Sequence, residues 1–397
     1  MSPPARRVVV VGGSLGGLSA ALWLRDAGWE VDVCERSPVP LEGQGAGIVL
    51  NPATIRWFVD KERKTGELGH SARFVRYMDA DGNLAAELVS PFTFTSYDTL
   101  YRRFMAAFGR SRYHLSEEVL GAEQDDRSAV VHLASGEARE CDLVVWADGI
   151  RSTGRRQLIP EAEGSYAGYV GWRGTVVRSE LSESTRRALH DAITYCVLPN
   201  SHTIAYPIPS SQTPLMNWLW YRNVKFGRDL DMLMTDVDGS RREVSVPPGS
   251  VVPEYIAELR EASERLLPGP FAELVRRTEQ PFLQAIYDVD VARMAVGRMC
   301  LVGDAAVALR PHPAAGSAKA AEDGYQLGAA LRETDVVVAR ALQGWQARQL
   351  ELARSVLARS RESGDRVQFT GSWRVGDPLP YGLYEQGDSI MDAGSSR

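Results

Sequence analysis

Long apolar runs are missing from this sequence. The run near the start, Val8–Val11, breaks at once into Gly-Gly-Ser-Leu-Gly-Gly, and no stretch approaches the ~20 apolar residues of a membrane span. The same break, with no small-residue cleavage pattern after it, argues against reading "RRVVVV" as an export signal. Cysteine is scarce. Cys34, Cys141, Cys196 and Cys300 stand far apart, without CxxC or metal-ligand spacing. They imply reduced, mostly buried thiols, no metal site and a cytoplasmic location. Basic excess is absent too. The formal net charge is -6, the basic residues are scattered, and neither nucleic acid nor an anionic membrane is an expected partner. There is no internal repeat. What remains is a chain of 397 residues, 44% hydrophobic, long enough for two or three domains.

The opening reads as strand, turn, helix, strand. Arg7–Val11, four valines behind one arginine, reads as a parallel strand buried on both faces. "LSAALWLRDA" (18–27) has helical periodicity and stops at Gly28. "EVDVCE" gives a second strand ending at Glu35. Short strands follow near 113–115, 119–123, 129–134 and 142–147, with "SGE" as a hairpin turn. From Tyr166 to Tyr221 the pattern is β-rich and aromatic, and predicts a mainly antiparallel sheet able to wall a pocket. Helices are predicted over 253–267 and 270–278, and a long polar-striped helix over about 336–360. The Gly-, Ser-, Pro- and Asp-rich end (366–397) is expected to be a surface tail, partly without order.

Three separated signals bear on chemistry. The first is Gly12-x-Ser14-x-x-Gly17 at the strand–helix turn. Gly12 permits the tight turn and Gly17 close helix–strand packing, while Ser14 stands where a backbone would meet a pyrophosphate. The helix start behind it attracts anions. Glu35, at the end of the second strand, is placed for a ribose hydroxyl pair. The second is "WADGIRSTGRR" (146–156), an apolar strand ending in Asp148-Gly149. The third is "LVGDAAVALRPHPAAGSAKAAEDG" (301–324). There a strand ends in Gly303-Asp304, a proline loop follows, and Gly316 opens a helix whose backbone N–H groups would stabilise negative charge. Each signal alone is also compatible with a capped strand–helix junction that binds nothing.

In this order and spacing the three signals resemble the single-component FAD-dependent aromatic hydroxylases, the p-hydroxybenzoate and salicylate hydroxylase family. The likeness spans about residues 6 to 365. "TSYD" (95–98), "YAGYVGWRG" (166–174), "AYPIP" (205–209), "LMTDV" (233–237) and "GDAAVALRPH" (303–312) are similar to the branch acting on hydroxypyridines. Departures are Ser14 for the middle glycine, Val307 for a frequent histidine, Ala314 and Ala318 for glycines, and Tyr97 for an arginine that reaches the flavin in many relatives.

The resemblance implies an α/β fold: a Rossmann-like FAD-binding domain of the glutathione-reductase type, an inserted, mainly antiparallel β-sheet substrate domain, and a long C-terminal helix. The FAD-binding part would comprise 1–72, 96–165 and 281–365, and the substrate part 73–95 and 166–280. Non-covalent FAD would be held by Gly12, Gly13, Ser14, Leu15, Gly17, Glu35, Arg36, Val119, Asp148, Asp304, Gly316, Ser317 and Ala318. NADH or NADPH would act as a transient co-substrate, consistent with the lack of a second glycine-rich βαβ unit. In the family, oxygen adds at the flavin C4a carbon and the hydroperoxide hydroxylates an electron-rich ring. The implied substrate is a hydroxylated aromatic, foremost a (di)hydroxypyridine, with O2 as co-substrate. His312, Pro311 and Tyr206 are the candidates for the reaction chamber, His312 because imidazole titrates near neutrality. Trp172, Trp218, Trp220 and Tyr221 read as sheet and pocket walls. A homodimer is the expected assembly. Two alternatives stay open: a hydroxylase of a larger phenolic or pyridinol intermediate of secondary metabolism, and a non-catalytic flavin- or NAD-binding sensor.

Overall fold

A computed structural model describes residues 6–43, 47–62, 68–210, 213–333 and 337–384. Strand Arg7–Val11 buries all four valines, so both its faces are covered. It pairs in parallel with Glu30–Cys34 on one side and Leu143–Trp146 on the other. Tyr113–His114 extends one flank, and Met299–Leu301 with antiparallel Ala295–Val296 the other, giving a six-stranded sheet. Helices Leu15–Asp26 and Gly316–Ala330 pack against each other beside it. Thus the two glycine-bearing helix starts, 300 residues apart in sequence, come together at the carboxyl ends of the strands. In open parallel sheets that is where ligands bind. The "SGE" turn joins Ala129–Leu133 to antiparallel Ala138–Cys141 in a separate three-stranded sheet. All four cysteines are free and buried.

The second sheet has nine strands, and every neighbouring pair is antiparallel except Ala192–Leu198 with His70–Met78. Strands Gly47–Val49 and Phe282–Asp288, which the sequence reading groups with the FAD-binding part, pair into this sheet. Its side chains alternate between two environments. Trp172, Trp218, Trp220 and Cys196 face back, onto Leu259, Phe271 and Leu274 of helices Pro253–Leu266 and Gly269–Arg277. Tyr169, Tyr195, Ile204, Tyr206, Leu219 and Tyr221 face the opposite way. The period of two therefore divides the aromatics. The tryptophans are core, with the indole N–H of Trp218 satisfied by Thr278 and that of Trp220 by Ser201. Of the four residues read as walls, only Tyr221 faces the cavity described below.

The end of the chain corrects the expected surface tail. The long helix runs Val338–Gln368, eight residues beyond the predicted end, while position 336 lies outside the described residues. After it, Trp373, Leu379, Tyr381 and Leu383 are buried. Gly382 N–H donates to the Pro313 carbonyl, and Arg366 pairs with Asp377. Composition misled because four apolar anchors suffice to seat a glycine-rich strap. Residues 385–397 of the expected tail lie outside the described residues.

Candidate active site

Two clefts open where the strands of the parallel sheet end. The first, about 390 Å³, is lined by Gly12, Ser14, Glu35, Arg36, Val119 and Asp148. Gly12 has φ +100°, and a Cβ there would stand 2.4 Å from the Ala147 carbonyl oxygen. A Cβ at Gly17 would stand 1.9 Å from the Gly12 carbonyl oxygen. Both glycines are thus demanded by geometry. Ser14 is the N-cap of helix Leu15–Asp26 but makes no side-chain cap. Its hydroxyl instead meets the Tyr97 hydroxyl at 2.8 Å. The N–H groups of this first turn, Leu15 included, are left for an external acceptor. Glu35 accepts from Gly13 N–H at 2.8 Å and from Ser37 N–H at 2.9 Å.

Asp148 accepts from Thr153 N–H at 2.7 Å through Oδ2, capping the short helix Thr153–Leu158, while its buried Oδ1 has no partner. Arg155 ties the neighbouring loops together. It donates to the carbonyls of Ile150 and Ala305. Burial raises the pKa of Asp148.

The second cleft, about 240 Å³, is lined by Asp304, Pro311, Gly316 and Ser317 on one side and Arg173, Tyr206 and Tyr221 on the other. Asp304 follows strand Met299–Leu301, in a 3-10 turn, with its side chain open into the cleft. The surrounding protein raises its pKa; Lys319 opposes that shift and Asp323 adds to it. Lys319 is buried and bonded to Asp323 at 2.6 Å, and Asp323 accepts Gly303 N–H at 2.8 Å. This pair locks the turn that presents Asp304. Helix Gly316–Ala330 also lacks a side-chain cap, so its first amides are available. Ala318 is buried within its first turn.

Of the three chamber candidates, Tyr206 and Pro311 line this cleft. His312 stands behind it, in a small inner cavity of about 40 Å³ with Tyr195, His202, Tyr221, Trp373, Leu379 and Tyr381. Its Nε2 lies 2.8 Å from the Tyr169 hydroxyl. The sequence reading missed His202, Arg173 and the whole C-terminal contribution. Alternation along the strands could have found the first two. They share a face with Tyr206 and Tyr221 through the register His202–Tyr221 and Arg173–Leu219.

Burial holds the His202 imidazole down to about 3 and that of His312 well below its usual 6.5. Both are neutral in the fold, and the unfolded chain takes up their protons below pH 6.5. Their stabilisation is therefore complete above pH 6.5 and falls as the pH drops, by about 1.4 kcal/mol per pH unit for each. The carboxyl of Asp323, raised by burial, works in the opposite sense. The expected result is a shallower acid-side loss in His202→Gln than in the parent, measured as unfolding free energy at pH 7, 6 and 5. Parallel curves would mean that His202 is protonated in the fold.

The donor set suits an extended dinucleotide. Two uncapped helix starts, an orphaned buried carboxylate oxygen at Asp148 and an open carboxylate at Asp304 line the clefts from end to end. The comparisons agree. A model described as FAD binding domain-like matches residues 166–288. The 2,6-dihydroxypyridine 3-monooxygenase of Paenarthrobacter nicotinovorans is 39% identical over 388 residues, covering 96% of this chain and 97% of the relative. The solved 2,6-dihydroxypyridine-3-hydroxylase from Arthrobacter nicotinovorans superposes with TM-score 0.92 at 38% identity, over 98% of this chain and 99% of that one. The 3-hydroxybenzoate 6-hydroxylase of Polaromonas naphthalenivorans is 26% identical over 94% of this chain and 91% of its own.

Proposed function

Because the chain belongs to the FAD-dependent aromatic-ring monooxygenases, we propose that its own substrate is a hydroxypyridine of the 2,6-dihydroxypyridine class. The enzyme uses FAD, with NAD(P)H as electron donor and O2 as co-substrate. The observation that supports the substrate is the extent of the likeness, 39% identity carried through nearly the whole chain. That span includes the strands that face the cavity.

When bound, the flavin takes electrons from NAD(P)H and activates dioxygen. The protein's own residues do the rest. Ser14 and Leu15 would hold the pyrophosphate, with Glu35, Arg36 and Val119 at the adenosine end, while Gly13 donates its N–H to Glu35 and so fixes that carboxylate. Asp148 and Asp304 would take hydroxyls of the linking chain. The first amides of Gly316, Ser317 and Ala318 would stabilise negative charge at the ring edge. Tyr206, Tyr221 and Pro311 would flank the substrate ring and exclude water. Neutral His312, its Nε2 bonded to the Tyr169 hydroxyl behind the cleft, would position the loop at Pro311 rather than take a proton, because burial disfavours its imidazolium.

The test is a screen of hydroxypyridines and phenols for stimulated NADH oxidation, with products identified by mass. 2,6-Dihydroxypyridine is expected to stimulate oxidation and gain one oxygen. Stimulation by phenols alone would overturn the substrate class.

A further inference from the structure

The cavity that faces Asp304 and Gly316 is lined by three charged side chains: Arg173, Asp304 and Arg310. Arg310 is already compensated, with Asp288 at 3.0 Å and Asp365 at 2.7 Å. Asp304 stands on the dinucleotide side, above the buried Lys319–Asp323 pair. Arg173 comes from the middle of the nine-stranded sheet, opposite Leu219 on one neighbour and Phe282 on the other. It forms no ion pair among the described residues. Its Nε is buried without a hydrogen-bond partner, and Tyr221 lines the same cavity beside it. The remaining polar groups around it carry no charge. Tyr206 and Tyr221 are held protonated by burial, and His202 is held neutral.

A half-buried guanidinium whose Nε is buried and unpartnered, facing a cavity of aromatic rings, is completed best by something anionic. Its planar fork matches an oxygen pair or a delocalised oxyanion better than an ammonium would. We infer that Arg173 is the anchor for an oxyanion on the substrate ring, so that the enzyme selects substrates whose ring hydroxyl is ionised when bound. This rests on the reading of the cavity as a substrate chamber and narrows that reading to anionic rings. Arg173 thereby sets specificity: a ring whose hydroxyl is blocked leaves the cation unpaired and is rejected.

The experiment uses the FAD-loaded enzyme and two ligand pairs. One is 2,6-dihydroxypyridine with 2,6-dimethoxypyridine, and the other is 4-nitrophenol with 4-nitroanisole. Binding is read from perturbation of the flavin spectrum in the parent, Arg173→Lys and Arg173→Gln. Arg173→Gln should weaken the hydroxylated member of each pair by about ten- to a hundredfold, the range of a charge-assisted hydrogen bond, and leave the methyl ethers unchanged. Arg173→Lys should fall between. In the parent, affinity for 4-nitrophenol should rise as the pH passes through the ionisation of that ligand, while 4-nitroanisole stays flat. This arm needs no variant to fold. Equal losses for both members of a pair, unchanged binding in Arg173→Gln, or a flat profile in the parent would overturn the inference. So would loss of FAD from folded Arg173→Gln, which would assign the guanidinium to the cofactor. A response from 4-nitrophenol alone would keep the anion site and sink the hydroxypyridine reading. Equal turnover of 2,6-dihydroxypyridine by parent and Arg173→Gln would do the reverse.

Discussion

Gly12→Ala is expected to purify as a colourless apoprotein. Two costs combine at this position. The backbone is left-handed, φ +100°, which costs an L-residue about 1–2 kcal/mol. The new methyl would stand 2.4 Å from a backbone carbonyl oxygen, and backbone cannot swing aside like the end of a side chain. Overpacking of this kind adds about 1–3 kcal/mol. The strain falls on the turn that leads into helix Leu15–Asp26, whose free amides would hold the pyrophosphate. The turn must shift to relieve it, and FAD affinity should fall by at least a hundredfold. Equilibrium dialysis against FAD checks this, with circular dichroism to show that the variant is folded. A folded variant that holds FAD as the parent does would show that the turn is not the pyrophosphate site.

Ending the chain at Gly371 should abolish productive turnover while leaving FAD bound. Trp373, Leu379 and Tyr381 would be removed from the inner cavity, and Tyr381 also from the larger one. The hydroxyl pair of Tyr195 and Tyr381 and the bond from Gly382 to the Pro313 carbonyl would go with them. Water would then reach His312 and the substrate face of the sheet. A loss of roughly a hundredfold or more in kcat/KM is expected, the scale that misplacement at a reacting centre produces. NADH oxidation should continue with poor product yield. The single change Tyr381→Ala should show the same direction with a smaller effect. The ratio of hydroxylated product to NADH consumed measures both. Unchanged coupling in the truncated chain would show that this strap is packing only.

These two predictions draw on parts of the molecule that were unequally legible in the sequence. The dinucleotide end could be read because its constraints are local. A parallel strand, a glycine that must turn and a helix start lie within ten residues, and the physics acts between sequence neighbours. Asp304 and Gly316 were legible for the same reason. What they meet across the cleft was not. Arg173 sits next to an aromatic in Gly171-Trp172-Arg173-Gly174, and only the sheet register shows that it shares a face with Tyr221 rather than with Trp172. The strap at 373–383 was misread because its glycines and prolines match a disordered composition. Its burial depends on partners such as Tyr195 and Pro313, far away in sequence. The Ser14–Tyr97 contact joins two of the departures from the family pattern. Neither position by itself suggests the other, yet their hydroxyls meet at the mouth of the turn.

The most direct measurement of the account is the fate of oxygen. The purified enzyme, its FAD verified by mass after denaturation, is given NADH, 2,6-dihydroxypyridine and isotopically labelled dioxygen. The account predicts one labelled oxygen atom in the ring product for each NADH consumed. A protein that carries no FAD, or that oxidises NADH without placing the label on any ring, would contradict it.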